Sequence, residues 1–351
     1  MNTGHLRTLE APAPADVPEG FVDFLRELGG PVSIRLEGIE RGRTRALTTL
    51  LHGNEPSGAR ALHGWLRSGK RPRVSLTCIL GAVDAALLEP RCTHRFAPGE
   101  RDLNRCFREP FEGAEGRLAA GILEALAQAE PECLVDLHNT SGASPAFAVV
   151  ASEDSVHEAI ASRFSNRLVI TDLRLGALME TTGSPFPAVT LECGAAGSAE
   201  ADATARRWLD RYFLEDDVLV APQEGRRLEL YHHPVRLELA AGTQLAWAEQ
   251  RRDGADLTLR PDLERWNFGT ADPSIRLGWL GERGLGPLRV RNADGDDVLA
   301  AYFREHEGQL HPAQELKFFM ITPSPTIALS DCLLYAAAER EHERVRVGPM
   351  V

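Results

Sequence analysis

The sequence predicts an α/β protein: a mixed, mostly parallel sheet flanked by helices, followed by a smaller β-rich domain. Three observations point there. From Val32 to Phe213, short apolar runs of strand length alternate with stretches of helical period. Beyond Asp216 the period becomes two, that of strands alone. Apolar runs also end abruptly in a polar residue at Leu51-His52, Leu137-His138 and Leu191-Glu192. Strand ends are where open α/β sheets hold ligands.

The elements follow in order. Val17 to Leu28 reads as a short amphipathic helix stopped by Gly29-Gly30, and Val32, Ile34 and Leu36 alternate as in a strand. Ala46 to Leu51 is a buried strand, and Gly53-Asn54-Glu55-Pro56 a sharp turn into a helix. That helix carries Ala59, Leu62, Trp65 and Leu66 on one face and ends at Gly69. Val74 to Leu80 is a strand, Leu118, Ile122 and Leu126 mark a helix, and Cys133 to His138 is a strand. Ala146 to Ala151 and Leu168 to Thr171 are strands around a helix from Ser155 to Phe164. Ala188 to Cys193 is the expected last strand of the series, before a helix from Ala201 to Phe213. After Arg227, Leu228 and Leu230, then Val235, Leu237 and Leu239, alternate. Asp262 to Pro287 is expected to be an ordered loop, Asp294-Gly295 the turn of a hairpin, and Glu315 to Ile321 and Thr326 to Leu329 strands. The resulting division is an N-terminal extension over 1–43, an α/β domain over 44–223 and a β-rich domain over 224–351.

Composition narrows the function. A chain of 351 residues with a net charge of -12 lacks the basic face of a general nucleic-acid binder. An anionic ligand stays open if arginines gather locally. The polar, Pro- and Ala-rich start has no signal-peptide core, and no run is long enough to span a bilayer. The cysteines at 78, 92, 106, 133, 193 and 332 show no C-x-x-C spacing and read as reduced thiols of a cytoplasmic protein.

Four motifs carry chemistry. His52-Gly53-Asn54-Glu55 puts two metal-ligand types around one turn; alone, it also fits a capped turn with an incidental histidine. In Leu134-Val135-Asp136-Leu137-His138-Asn139-Thr140, alternation sets Asp136 and His138 on one face, with Asp136 placed to orient a ligand. Glu192 closes the buried strand of Val189-Thr190-Leu191, costly unless the carboxylate is paired or working. Arg101-Asp102-Leu103-Asn104-Arg105, with Arg95 nearby, is a solvated charge cluster or an anion grip. Two histidines and one glutamate form a set used by catalytic zinc, with the fourth position left to water.

His52-Gly-Asn-Glu55, Asp102-Leu-Asn-Arg105, Asp136-Leu-His-Asn-Thr140 and Thr190-Leu-Glu192 occur in the order and approximate spacing of the succinylglutamate desuccinylase/aspartoacylase family. The chain resembles that family over roughly residues 44 to 215, and more loosely in the C-terminal domain. The resemblance implies a zinc-peptidase-like fold and one zinc ion per chain on His52, Glu55 and His138. It implies Glu192 as general base and proton shuttle, and Asn104 with Arg105 as the grip on a substrate carboxylate. Arg95 resembles the arginine that polarises the scissile carbonyl, with Arg101 as a rival. Tyr335, in Asp331-Cys-Leu-Leu-Tyr335, resembles a substrate-contacting tyrosine.

The implied activity is zinc-dependent hydrolysis of the amide bond of an N-acylated amino acid or related small amide. Aspartoacylases carry an arginine for a second substrate carboxylate where this chain has Glu180-Thr181-Thr182-Gly183, and Cys193-Gly194-Ala195-Ala196 also differs. N-acetylaspartate is therefore not the expected substrate. The alternatives are a zinc carboxypeptidase acting on short peptides and a non-catalytic, metal-stabilised binding protein. The expected partner is a small carboxylate-bearing amide, without nucleic acid or membrane; a homo-oligomer is left open. Asn292-Ala293-Asp294-Gly295-Asp296-Asp297 lacks the calcium-loop Gly and Glu, and His232-His233 beside Pro234 reads as a strand edge.

Overall fold

The structure, a computed structural model, describes residues 5–180, 186–222 and 224–348. Strands β1 (Arg7–Glu10), β2 (Val32–Leu36), β3 (Glu40–Thr49), β4 (Val74–Leu80), β5 (Leu134–Thr140), β6 (Phe147–Val150), β7 (Arg167–Ile170), β8 (Ala188–Ala195) and β9 (Arg226–His232) come first along the chain. Between them lie α1 (Phe21–Leu28), α2 (Ser57–Ser68), α3 (Val83–Leu87), α4 (Gly113–Ala129), α5 (Ser155–Phe164) and α6 (Ala199–Leu214). The remaining strands are β10 (Val235–Leu239), β11 (Leu245–Trp247), β12 (Leu257–Leu259), β13 (Thr270–Ala271), β14 (Gly278–Leu280), β15 (Leu288–Arg291), β16 (Phe303–His306), β17 (Gln309–Pro312), β18 (Leu316–Phe319), β19 (Leu334–Ala338) and β20 (His342–Val347). Two short helices, α7 (Leu299–Tyr302) and α8 (Pro325–Ser330), complete the set.

A ten-stranded sheet runs β1-β2-β4-β3-β5-β8-β6-β7-β9-β20. The pairs β2–β4, β6–β8 and β9–β20 are antiparallel and the rest parallel. Leu47, Val135, Leu137, Val189 and Leu191 pack against Leu62, Trp65, Ile160, Trp208 and Phe213 of α2, α5 and α6. On the other face Ala46, Leu134 and Ala188 meet Leu118, Ile122 and Leu126 of α4. The same even-numbered alternation carries Thr48, Asp136, His138, Thr190 and Glu192 on this second face, nearer the carboxyl ends of β3, β5 and β8. Helix α4 covers only part of it.

Past residue 232, two five-stranded sheets, β13-β18-β19-β10-β15 and β11-β12-β14-β17-β16, enclose a core of Leu237, Leu257, Val290, Phe303 and Phe318. The expected divisions at 43/44 and 223/224 are both crossed by strand pairing. β1, β2 and the start of β3 belong to the large sheet, and so do β9 and the returning β20. β8 is therefore not the last strand of that sheet.

Three local expectations change. Thr326 to Leu329 lies in helix α8, because Pro325 starts a helix well and Ser324 Oγ accepts from Ile327 N. Asp294-Gly295 forms a turn, but its second arm is α7 rather than a strand: Asp297 Oδ1 accepts from Leu299 N and starts a helical turn. Asp262 to Pro287 contains β13 and β14. The first helix starts at Phe21, past Pro18, and Gly29 caps it at φ 65°. The six cysteines are free thiols. Among the described residues no helix is long and apolar enough to cross a membrane.

Candidate metal and active site

The site starts from the end of β3. Leu50, just past the strand, has φ 54°, a left-handed conformation costly for a leucine, and its carbonyl accepts from Ala82 N at 2.6 Å. The bend turns His52 back over the strand ends. Gly53 is required next, since a Cβ there would lie 2.6 Å from Ala86 N and 2.7 Å from His94 O. α2 then begins at Ser57, whose N–H donates to Asn139 Oδ1 and ties this turn to β5. β5 delivers His138, and its parallel neighbour β8 places Glu192 directly across from it.

His52, Glu55 and His138 are buried together, and one ligand atom from each lies within 4.8 Å of the others. His52 Nδ1 is 2.9 Å from Glu55 Oε1, and His138 Nδ1 is 2.7 Å from Glu55 Oε2. The opposite ring nitrogens face carboxylates. His52 Nε2 is 2.9 Å from Asp102 Oδ1 and His138 Nε2 is 2.8 Å from Asp136 Oδ2. Asp136 in turn accepts from Thr48 Oγ1. Each carboxylate fixes its imidazole with Nδ1 turned to the shared centre, the arrangement by which proteins orient metal-binding histidines. The donor set and its outer support thus fit one divalent ion of zinc type, His52, Glu55 and His138 being the residues that would hold it.

The carboxylates and imidazoles of this cluster set one another's ionisation. Burial resists ionisation of Glu55, but the two imidazoles outweigh it and hold the carboxyl well below its ordinary range. Burial likewise opposes ionisation of Asp102, and His52 with Arg95 overcomes it. Burial lowers the pKa of both histidines, yet the facing carboxylates raise them on balance, His138 most. Glu192 differs. Its Oε2 is buried with no hydrogen-bond partner, and burial pushes its carboxyl up to about 7. A buried, unpartnered carboxyl beside a metal-ligand set is a candidate general base.

Arginines form the rim. Arg95 Nε donates to Asp102 Oδ2 at 2.9 Å, and its guanidinium lies 3.6 Å from both Glu55 Oε1 and Asp331 Oδ2. Arg101 is outside this cluster, half exposed against Glu115. Arg105 donates to both oxygens of Asp331, at 3.0 and 3.1 Å, and Arg236 donates to the same carboxylate. Asn104 Oδ1 accepts from Leu178 N, leaving its amide nitrogen as the end able to donate to a ligand. Tyr335 lines the cavity, with the Arg236 guanidinium over its ring at 5.8 Å. Glu180 accepts from Leu175 N and Gly176 N; Thr181, Thr182 and Gly183 lie outside the described residues.

Two participants escaped the sequence reading. Asp102 was visible inside the Arg101–Arg105 cluster, but nothing local pairs it with His52. Asp331 was visible beside Tyr335, and only the fold brings it 226 positions back to Arg105. His232 lies elsewhere, near Glu153 and Glu343 at the surface.

The chain is similar to known proteins in a family model and in fold. The sequence model of the succinylglutamate desuccinylase/aspartoacylase catalytic domain matches residues 41–208. The fold is similar to that of murine aminoacylase 3, with a TM-score of 0.56 and 18% identity over 90% of this chain and 99% of that chain. Succinylglutamate desuccinylase from Chromobacterium violaceum gives a TM-score of 0.55 at 16% identity, over 88% of each chain. The enzyme of that name from Vibrio cholerae gives 0.52 at 14%, over 84% of this chain and 99% of that chain. At these identities the likeness is one of fold. No curated protein matches the sequence.

Proposed function

Since residues 41–208 belong to the succinylglutamate desuccinylase/aspartoacylase family of deacylases, we propose that this protein is a zinc-dependent amidohydrolase that removes the acyl group from an N-acylated amino acid. One observation carries the reading. His52, Glu55 and His138 converge on a common centre while Glu192, which that centre does not need, stays buried and unpartnered beside it.

A zinc ion held by His52, Glu55 and His138 would supply Lewis acidity at this centre. The chain's own groups supply the rest. Glu192 takes a proton from the attacking water and returns it to the leaving nitrogen, a role for which a carboxyl titrating near neutrality is suited. Arg95, fixed by Asp102, presents a guanidinium where negative charge develops on the carbonyl oxygen. Arg105 and Asn104 take the substrate carboxylate, Arg105 exchanging Asp331 for it at Nη2, which now donates to both Asp331 oxygens. Phe319, Ile327, Asp331 and Tyr335 of the C-terminal unit line the same cavity, and a cavity closed in by a second unit suits a small amide better than a peptide.

The test is a hydrolysis screen of the zinc-loaded protein across N-acetyl, N-formyl and N-succinyl amino acids, with metal analysis alongside. The expected result is one zinc per chain and turnover that Glu192→Gln abolishes. Stoichiometric zinc without turnover of any amide defeats the deacylase reading and favours a binding protein.

A further inference from the structure

The face of the large sheet that carries the site changes chemistry at one seam. One row of paired residues runs Thr48, Asp136, Thr190 across β3, β5 and β8, then Val149, Val169, Tyr231 across β6, β7 and β9. The next row runs His138, Glu192, Phe147. Residues paired across neighbouring strands share a face. The row is thus polar up to β8 and apolar from β6 onward, and the seam falls at Glu192 and Phe147.

The cavity of about 110 Å³ straddles the seam. Past it, the walls are Phe147, Val149 and Val169 from the sheet, Leu173 from the loop after β7, and Phe319 and Met320 from the C-terminal unit. Among the described residues, the charged side chains toward this half other than Glu192 already have partners: Glu180 accepts from two backbone N–H groups, Arg95 donates to Asp102, and Arg105, the proposed grip for the one substrate carboxylate, donates to Asp331. A second ionised group entering the apolar half would lose its water and meet no free countercharge among the described residues.

We propose that this apolar half is a specificity subsite, and that the substrate carries a bulky aliphatic or aromatic group next to the scissile amide rather than a second carboxylate. The inference rests on the deacylase reading above and names the substrate class of that site. The apolar group has two sources, the acyl chain or the amino-acid side chain, and the geometry at the seam suits either.

Two substrate series separate them, read as kcat/KM. One is N-acetyl-alanine, -valine, -leucine, -phenylalanine and -aspartate; the other is acetyl-, butanoyl-, hexanoyl- and succinyl-alanine. One series should climb by roughly fourfold per buried methylene, reaching on the order of 10²-fold, with the dicarboxylate near its foot. Flat or falling trends in both series, or a dicarboxylate as best substrate, overturn the proposal. Val169→Trp should collapse the large-to-small ratio toward one, and Val169→Ala, which folds more readily, should move the optimum to a larger group; unchanged ratios in both overturn it. Calorimetry of the metal-free protein gives a readout without turnover. Hexanoate and 3-phenylpropanoate should bind at least about tenfold tighter than acetate or succinate, and equal or weaker binding overturns the subsite. Length-dependent binding together with no hydrolysis of any amide sinks the deacylase reading while the subsite stands.

Discussion

Replacing Glu192 by Gln should change how the metal-free protein's stability depends on pH. Burial raises the Glu192 carboxyl from its ordinary 4.5 to about 7. Between those values the folded chain binds more protons at this site than the unfolded chain, so stability falls as pH rises. The contribution is whole below 4.5, declines up to about 7 and is level above. A shift of this size, at about 1.4 kcal/mol per unit, is worth about 3 kcal/mol in full, most of which falls between pH 5 and pH 8. Glutamine keeps the shape and cannot ionise, so that slope should vanish. The assay is urea unfolding of both proteins in chelator at the two pH values. The wild-type protein should lose roughly 2–3 kcal/mol more than the variant on going to pH 8. Comparing differences removes the pH-independent effect of the amide. Curves that move in parallel, within about 0.5 kcal/mol, would refute the claim that a buried neutral carboxyl sits at the site.

Further outcomes follow from the same geometry. His138→Ala should lose zinc at near-stoichiometric metal, and full occupancy by elemental analysis would remove His138 from the ligand set. Asp102→Asn, which keeps the shape but not the charge behind His52 and Arg95, should weaken zinc by about 10–100-fold in a competition titration; unchanged affinity would make Asp102 a bystander. Asp331→Asn releases Arg95, Arg105 and Arg236 from their common partner, so acetate should bind on the order of tenfold tighter by calorimetry, the low end of one charge-assisted contact. Methyl-esterifying the carboxylate of a good substrate should cost about 1.5–3 kcal/mol in kcat/KM; equal turnover of ester and acid would show that Arg105 does not read it.

The sequence by itself determined what depends on neighbours along the chain. The period of each run set β4, α2 and α5 within a residue or two of their positions, and alternation alone put Asp136 and His138 on one face. The four short motifs named the candidate metal ligands through their order and spacing, and Glu192 because a carboxylate ending a buried strand is costly unless paired or working. Local chemistry also misled where two local signals competed: Ser324-Pro325 made a helix of residues whose composition reads as strand, and Asp297 did the same after the Asp294-Gly295 turn. Only the tertiary structure decided what depends on strand order. β6 joins β8 antiparallel and sets Phe147 beside Glu192, which creates the apolar half of the site; no local period reports which strands become neighbours. Asp102 reaches His52 across 50 positions, and Asp331 reaches Arg105 across 226. β20 leaves the C-terminal unit to pair with β9 at the edge of the large sheet. Local torsional and burial preferences are written in a handful of adjacent residues. The closing of long loops is repaid only by contacts between distant segments, so the partner of each strand and charge had to come from the fold.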